Sequence, residues 1–234
     1  MGSEMCIRDR TEFDGTDHEF GTSGFVYRSN TLLYDHATKS LWSTLKGEPV
    51  VGPLVGKGIS LKRLSCVTST WGQWKKDHPD TSVLSLDTGY ERDYDEGAAY
   101  GQYLATDELV FSTPLSDERL KNKAEVLVFH GKDDQLAIAA DFLMENSVYH
   151  EKIGDVDFVV LTDKSGANRA YATGGKKFKS WDQDQTAVDE QGVKWSLTES
   201  ALSNSDSESL ERVSAHRAFW FGWHAQFENT RLVK

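Results

Sequence analysis

Residues 214–227 read SAHRAFWFGWHAQF, and residues 68–78 read TSTWGQWKKDH. In the first stretch Phe219, Trp223 and Phe227 recur at i, i+4 and i+8 with Trp220 beside them, the apolar stripe of a helix facing a core. Ser214 suits the N-cap, because its hydroxyl accepts from an early helical N–H. In the second stretch Trp71 and Trp74 lie three apart, and Pro79 stops the helix because it lacks an N–H and its ring clashes with the preceding turn. The spacing therefore predicts helices over 214–227 and 68–78, and a shorter one over 139–146.

The two aromatic helices align with each other. With Trp74 placed on Trp223, Thr81 falls on Thr230, Val83 on Leu232 and Asp80 on Asn229. Upstream, the strand ending at Trp42 resembles the one ending at Trp195 after a change in loop length. The order strand, Trp, spacer, strand, aromatic helix, Thr, strand is expected twice, as an internal duplication too long in period for a solenoid.

Around these helices the chain reads as short strands. Runs at 24–34, 40–45, 50–55, 59–67, 82–86, 124–129 and 135–139 are rich in β-branched and aromatic residues. Further runs lie at 156–162, 169–172, 177–181, 194–198 and 210–213. Gly, Asp and Asn separate them, as turns require. The pattern predicts an α+β fold dominated by antiparallel sheet, with two related β-rich units, 11–120 and 121–234.

Composition narrows the function classes. Among 234 residues, 38% are hydrophobic and 7 are Trp, enough for a sizeable core. A net charge of −11 argues against nucleic-acid binding, which needs a basic surface to displace counterions. The basic cluster Lys176, Lys177 and Lys179 reads instead as a solvated strand edge guarded against strand addition. No apolar run approaches the ~20 residues that span a bilayer.

Residues 1–10, MGSEMCIRDR, have neither a structural period nor a signal-peptide layout. They read as a translated adapter scar of the kind met in metagenomic gene calls. Without Cys6, Cys66 alone remains, which can form no internal disulfide and no zinc site by itself. Cys66 sits in the strand-like run 59–67 and reads as a small core residue.

Several collinear stretches carry a family resemblance: FGTSGF (20–25), LYDH (33–36), SLW (40–42), GEPVVGPLVG (47–56), WGQW (71–74), HPDT (78–81), DTGYERDY (87–94) and AFWFGW (218–223). Together they resemble domain-of-unknown-function family 3179. The resemblance implies an upstream half carrying a Cys-x-x-Cys pair, so that this chain is half of a first unit plus a whole second one. It also implies a periplasmic or extracellular location. At the position equivalent to that pair the second unit reads Leu161-Thr162-Asp163-Lys164-Ser165, with no cysteine.

Catalytic motifs are incomplete. Asp87-Thr88-Gly89 follows a strand-like run, but the aspartic-protease mechanism needs two such carboxylates. The triplet reads as a turn in which Gly89 supplies positive φ. Gly21-Thr22-Ser23-Gly24 departs from the nucleophile elbow in spacing and is followed by a strand, not a helix. Asp93-Tyr94-Asp95-Glu96-Gly97 lacks the distal ligands of a calcium loop, and the 7 His are scattered, so no metal site is expected. No cofactor is evident. Asp35 reads as a turn residue opening Ala37-Thr38-Lys39.

The strongest binding candidates are His36, which shares a strand face with Tyr34, and the polar aromatic loop holding Tyr90, Arg92, Asp93, Tyr94 and Tyr100. Arg92 can fork onto a ligand carboxylate or phosphate, or pin the loop through Asp93 or Asp35. Two functions follow: a binding or scaffold module for a small molecule or protein, or a thiol- or metal-dependent enzyme whose Cys-x-x-Cys lies outside this chain.

Overall fold

A computed structural model describes residues 12–13, 15–95, 98–113, 115–198 and 200–234. Residues 1–10 lie outside them. β1 (Glu12–Phe13) and β2 (Thr16–Asp17) form a short hairpin. β3 (Phe20–Tyr27), β4 (Asn30–Asp35), β5 (Leu41–Ser43) and β6 (Glu48–Val51) form an antiparallel meander in chain order. α1 (Trp71–Asp77) and α2 (Gly101–Ala105) lie in a largely irregular stretch. Next come β7 (Glu125–His130), β8 (Gln135–Ala139), α3 (Ala140–Glu145), β9 (Val148–Ile153), β10 (Val156–Thr162) and β11 (Asn168–Ala172). A second meander holds β12 (Phe178–Trp181), β13 (Thr186–Asp189), β14 (Lys194–Leu197), β15 (Ala201–Asn204) and β16 (Ser209–Glu211). β17 (Ala215–Phe219), α4 (Trp220–Gln226) and β18 (Arg231–Val233) close the chain.

Alternation along two central strands sets the layers. On β7, Leu127 and Phe129 join one core cluster while Val126 and Val128 join another on the opposite face. On β10, Phe158 and Val160 point into the first cluster, and Val159 and Leu161 into a third beneath the β12–β16 meander. Successive side chains of a strand face opposite ways, so both strands are buried on two sides. The layers run α4, then the sheet β17-β7-β8-β18, then β11-β10-β9, then β12–β16. Among the described residues all strand pairings are antiparallel except β18 with β8. The fold is thus α+β and dominated by antiparallel sheet.

Helix α4 also carries the first meander. Arg28 Nη1 donates to Ala225 O at 2.6 Å and Gln226 Nε2 to Tyr27 O at 3.2 Å. The meander has its own small core of Leu33, Trp42, Leu54 and Leu61.

The helix expected over 214–227 is corrected: its first part is strand β17. Ala215 through Phe219 pair with Phe129 through Glu125, which extends the backbone up to Phe219 at φ −79° and ψ 142°. Helix α4 starts only at Trp220. Its first N–H groups are satisfied by the preceding segment, Trp220 N donating to Ala124 O and Phe221 N to Asn122 O, both at 2.9 Å. Ser214 is not a cap; its Oγ donates to Leu64 O at 3.2 Å. Residues 59–67 and 82–86 are not strands either. The first stretch is held by isolated bonds, such as Leu61 N to Gly47 O at 2.9 Å and Cys66 N to Ala215 O at 3.0 Å, with no continuous ladder. The Lys-flanked strand β12 does lie at a sheet edge, and the short helix expected near 139–146 is α3.

Candidate functional site

The irregular stretch and the β17–α4 junction border an open cavity of about 280 Å³. His216, Arg217, Ala218 and Phe219 of β17 and Phe221 and Gly222 of α4 form one side. Leu45, the β3–β4 turn residue Ser29 and Asn30 at the start of β4 form the second, and Cys66, Thr68 and Tyr103 the third. Most of the wall is carbon, and the charged residues along it are Glu125 and Arg217.

Arg217 is fully engaged. Its Nη1 donates to Glu125 Oε2 at 2.6 Å, Nε to Asn168 Oδ1 at 2.7 Å and Nη2 to Gly166 O at 2.8 Å. These bonds tie β17 to the β10–β11 turn and present a fixed charge pair at the cavity edge. His216 is buried, with its ring 5.9 Å from that of His130 and 6.3 Å edge-on from Trp223. Cys66 is half-buried and lines this cavity, which corrects its reading as a strand-borne core residue.

On the far side of the β10–β11 turn lies a polar cleft of about 460 Å³. Its base is a buried ion pair, Arg169 Nη1 to Asp163 Oδ2 at 3.0 Å. Asp163 Oδ1 also accepts from Ser165 N, Ser165 Oγ and Ala167 N, which builds the tight turn. Gln73, Lys76 and Asp77 of α1 form the opposite wall. This is the turn that the resemblance makes equivalent to the position of a cysteine pair; here a carboxylate and a guanidinium hold it.

The six residues expected to bind ligand line neither cavity. His36 is exposed and packs its ring 4.7 Å from Tyr34, as the shared strand face predicts. A side chain at Gly21 would strike that Tyr34 ring at 2.8 Å, so the glycine makes room for it. Tyr90, Arg92, Asp93 and Tyr100 are exposed, and Tyr94 bonds Thr88 Oγ1 through its hydroxyl at 2.7 Å. Asp93 Oδ1 accepts from Asp95 N at 3.0 Å, a local turn; Glu96 and Gly97 lie outside the described residues. Gly89 has φ +76°, as expected of that turn.

The Asp35 carboxylate is buried and accepts from Thr38 Oγ1, from Thr38 N at 2.6 Å and from Trp42 Nε1 at 3.2 Å. Burial pushes the Asp35 carboxyl up, but the Thr38 and Trp42 bonds, with His18 nearby, outweigh it and hold it below its ordinary range. Among the described residues no group of three or more His, Cys, Asp or Glu is placed to hold a metal. No helix among them is long and apolar enough to cross a membrane.

Sequence reasoning missed Cys66, His216 and Arg217 as cavity residues. The available signal was polarity inside an aromatic run, His216-Arg217 next to Phe219, but reading that run as a helix pointed the two elsewhere.

Fold and cavities define a β-rich α+β protein with an apolar pocket at a strand-to-helix junction. The chain belongs to the family described as Protein of unknown function (DUF3179), whose model matches residues 4–230. No curated protein and no solved structure matches it.

Proposed function

We propose that the chain is a binding module whose ligand is a small, largely apolar molecule with one polar end. The observation that carries this is the cavity of about 280 Å³ between β17, α4 and residues 66–68. Carbon-lined concave sites with a few convergent polar groups are the usual form of small-ligand sites, and this volume suits a compact ring system. Leu45, Phe219 and Phe221 supply the apolar wall, while the Glu125–Arg217 pair, already held in place, orients the polar end without reorganising. The test uses 8-anilinonaphthalene-1-sulfonate, an aromatic sulfonate. Saturable binding that Thr68→Trp abolishes supports the reading, since Thr68 is exposed at the cavity edge and a plug there spares the core. Binding unaffected by Thr68→Trp and by Cys66→Phe would place the probe elsewhere and remove it.

A second reading, thiol chemistry, is favoured by Cys66 and His216 lining one cavity. It requires a thiolate at neutral pH. In a Cys6→Ser background, alkylation of Cys66 by iodoacetamide slower than that of a free thiol at pH 7 would eliminate this reading.

A further inference from the structure

Helices α1 and α4 are locally alike. Thr70 and Phe219, the residues before them, have φ/ψ of −75°/150° and −79°/142°; His78 and Phe227, the residues after, have −130°/68° and −134°/78°. Trp74 Nε1 donates to Thr81 Oγ1 at 3.0 Å, and Trp223 Nε1 to Thr230 Oγ1 at 2.9 Å. The ring after each tryptophan packs on it, His78 at 4.0 Å and Phe227 at 4.4 Å.

What covers the two helices differs. Trp220 and Trp223 are buried against Val126 and Val128 of β7 and Ala137 of β8. The residues after Thr230 form β18, which adds to β8 in parallel, Leu232 opposite Ala137. On α1, Trp71 is 53% and Trp74 44% exposed, and none of its residues is buried. After Thr81, Val83, Leu84 and Leu86 are exposed, Leu84 at 94%, in no strand. Two half-bare indoles are followed along the chain by three bare aliphatic residues, a concentration of exposed apolar side chains of the kind met at interaction sites.

We propose that α1 and residues 82–86 are a docking face for a partner that presents a two-stranded β-hairpin of small and β-branched apolar residues. The molecule shows what such a helix sits on: a hairpin with Val and Ala rows under the indoles, and the segment after the threonine paired with its second strand. Residues 82–84 would add to the incoming hairpin in parallel, a case of strand addition in which main-chain bonds give affinity and the indole face gives specificity.

The probe is a synthetic peptide with the sequence of residues 121–139, which spans β7 and β8. A lone hairpin is marginal in water, so a second form tethers it to the N-terminus of the full chain by a Gly/Ser linker, raising its effective concentration to about millimolar. Docking is expected to shift tryptophan emission to the blue and to slow amide exchange over residues 82–86 by about tenfold or more. Both effects should vanish with Trp74→Ser, or when the peptide carries Lys at the positions of Val126 and Val128. No protection in the tethered form, or protection that survives Trp74→Ser, would overturn the proposal. So would a concentration-dependent dimer through the same residues in light scattering without peptide, which would assign the face to a second copy.

Discussion

Asp35 with Trp42 and Asp189 with Trp195 form the same corner in two regions of the molecule. In each, a carboxylate at the end of a strand accepts the indole N–H of the next strand, at 3.2 Å and 3.0 Å. In each, the aspartate N–H closes the turn, onto Ser40 O at 3.0 Å and Val193 O at 3.1 Å. The next N–H reaches back to the residue just before the preceding strand, His36 to Glu19 O and Glu190 to Lys177 O, both at 2.9 Å. A phenylalanine meets the indole edge-on, Phe20 at 5.3 Å and Phe178 at 5.8 Å. What differs is the packing around them. Trp195 sits with Tyr171, Phe178, Trp181 and Leu202 under the three-layer sheet stack, whereas Trp42 has mainly Leu33, Leu54 and Leu61. A polar corner is thus a local device that sequence can specify, while its energetic worth depends on what packs behind it.

The largest effect should come from truncating the indoles. Trp195→Ala is expected to cost about 3–5 kcal/mol and Trp42→Ala less, since the smaller core around Trp42 collapses more readily into the space. Equal losses in urea unfolding would break the comparison. Asp189→Asn and Asp35→Asn should each cost about 1–3 kcal/mol, because a weakened acceptor is left facing a buried indole N–H.

Acid sharpens the same point. Burial pushes the Asp189 carboxyl up, but bonds from Trp195 and Val193 pull it lower still, so both corner carboxyls lie below the ordinary value of 3.8. A depressed carboxyl stabilises the fold fully above its unfolded value, and that contribution is lost as pH falls through its folded value. Stability measured from pH 5 downward should therefore fall more gently in either Asp→Asn variant than in the parent. An unchanged acid slope would show that the corners do not carry the acid response.

The smallest effect concerns the turn itself. Lys39 has φ +59° where Gly192 has φ +88°, and each precedes the residue whose carbonyl closes the corner. Lys39→Gly should change stability by less than about 1 kcal/mol, since strain relieved is offset by added freedom in the unfolded chain, whereas Gly192→Ala should cost about 1 kcal/mol or more. Thermal melts of the pair decide it.

Features that depend on a few neighbouring residues were legible. Asp35 opens a turn at Thr38, Gly89 takes positive φ and the Lys-flanked strand β12 is an edge, each for the reason its sequence gives. The reading failed where a distant strand chose the outcome. Phe219, Trp223 and Phe227 keep helical spacing, yet β7 pulls residues 215–219 into its ladder. Residues 59–67 and 82–86 have strand composition, but among the described residues they form no continuous ladder: the first stretch touches β17 through the single bond from Cys66 N to Ala215 O. The cavity was hidden for the same reason: Cys66, Thr68 and Tyr103 meet His216 and Arg217 only after the irregular stretch packs across β17.

The sequence by itself determined the antiparallel β-rich class, the aromatic helical turns around Trp74 and Trp223 and the turn at Asp35, because period, turn chemistry and side-chain-to-backbone bonds act within about ten residues. Only the tertiary structure decided which tryptophans are buried, where β17 gives way to α4 and which polar groups share a cavity. Those outcomes depend on strand pairing and layer packing between residues far apart in the chain, and local preference yields to them when a ladder partner is present or absent.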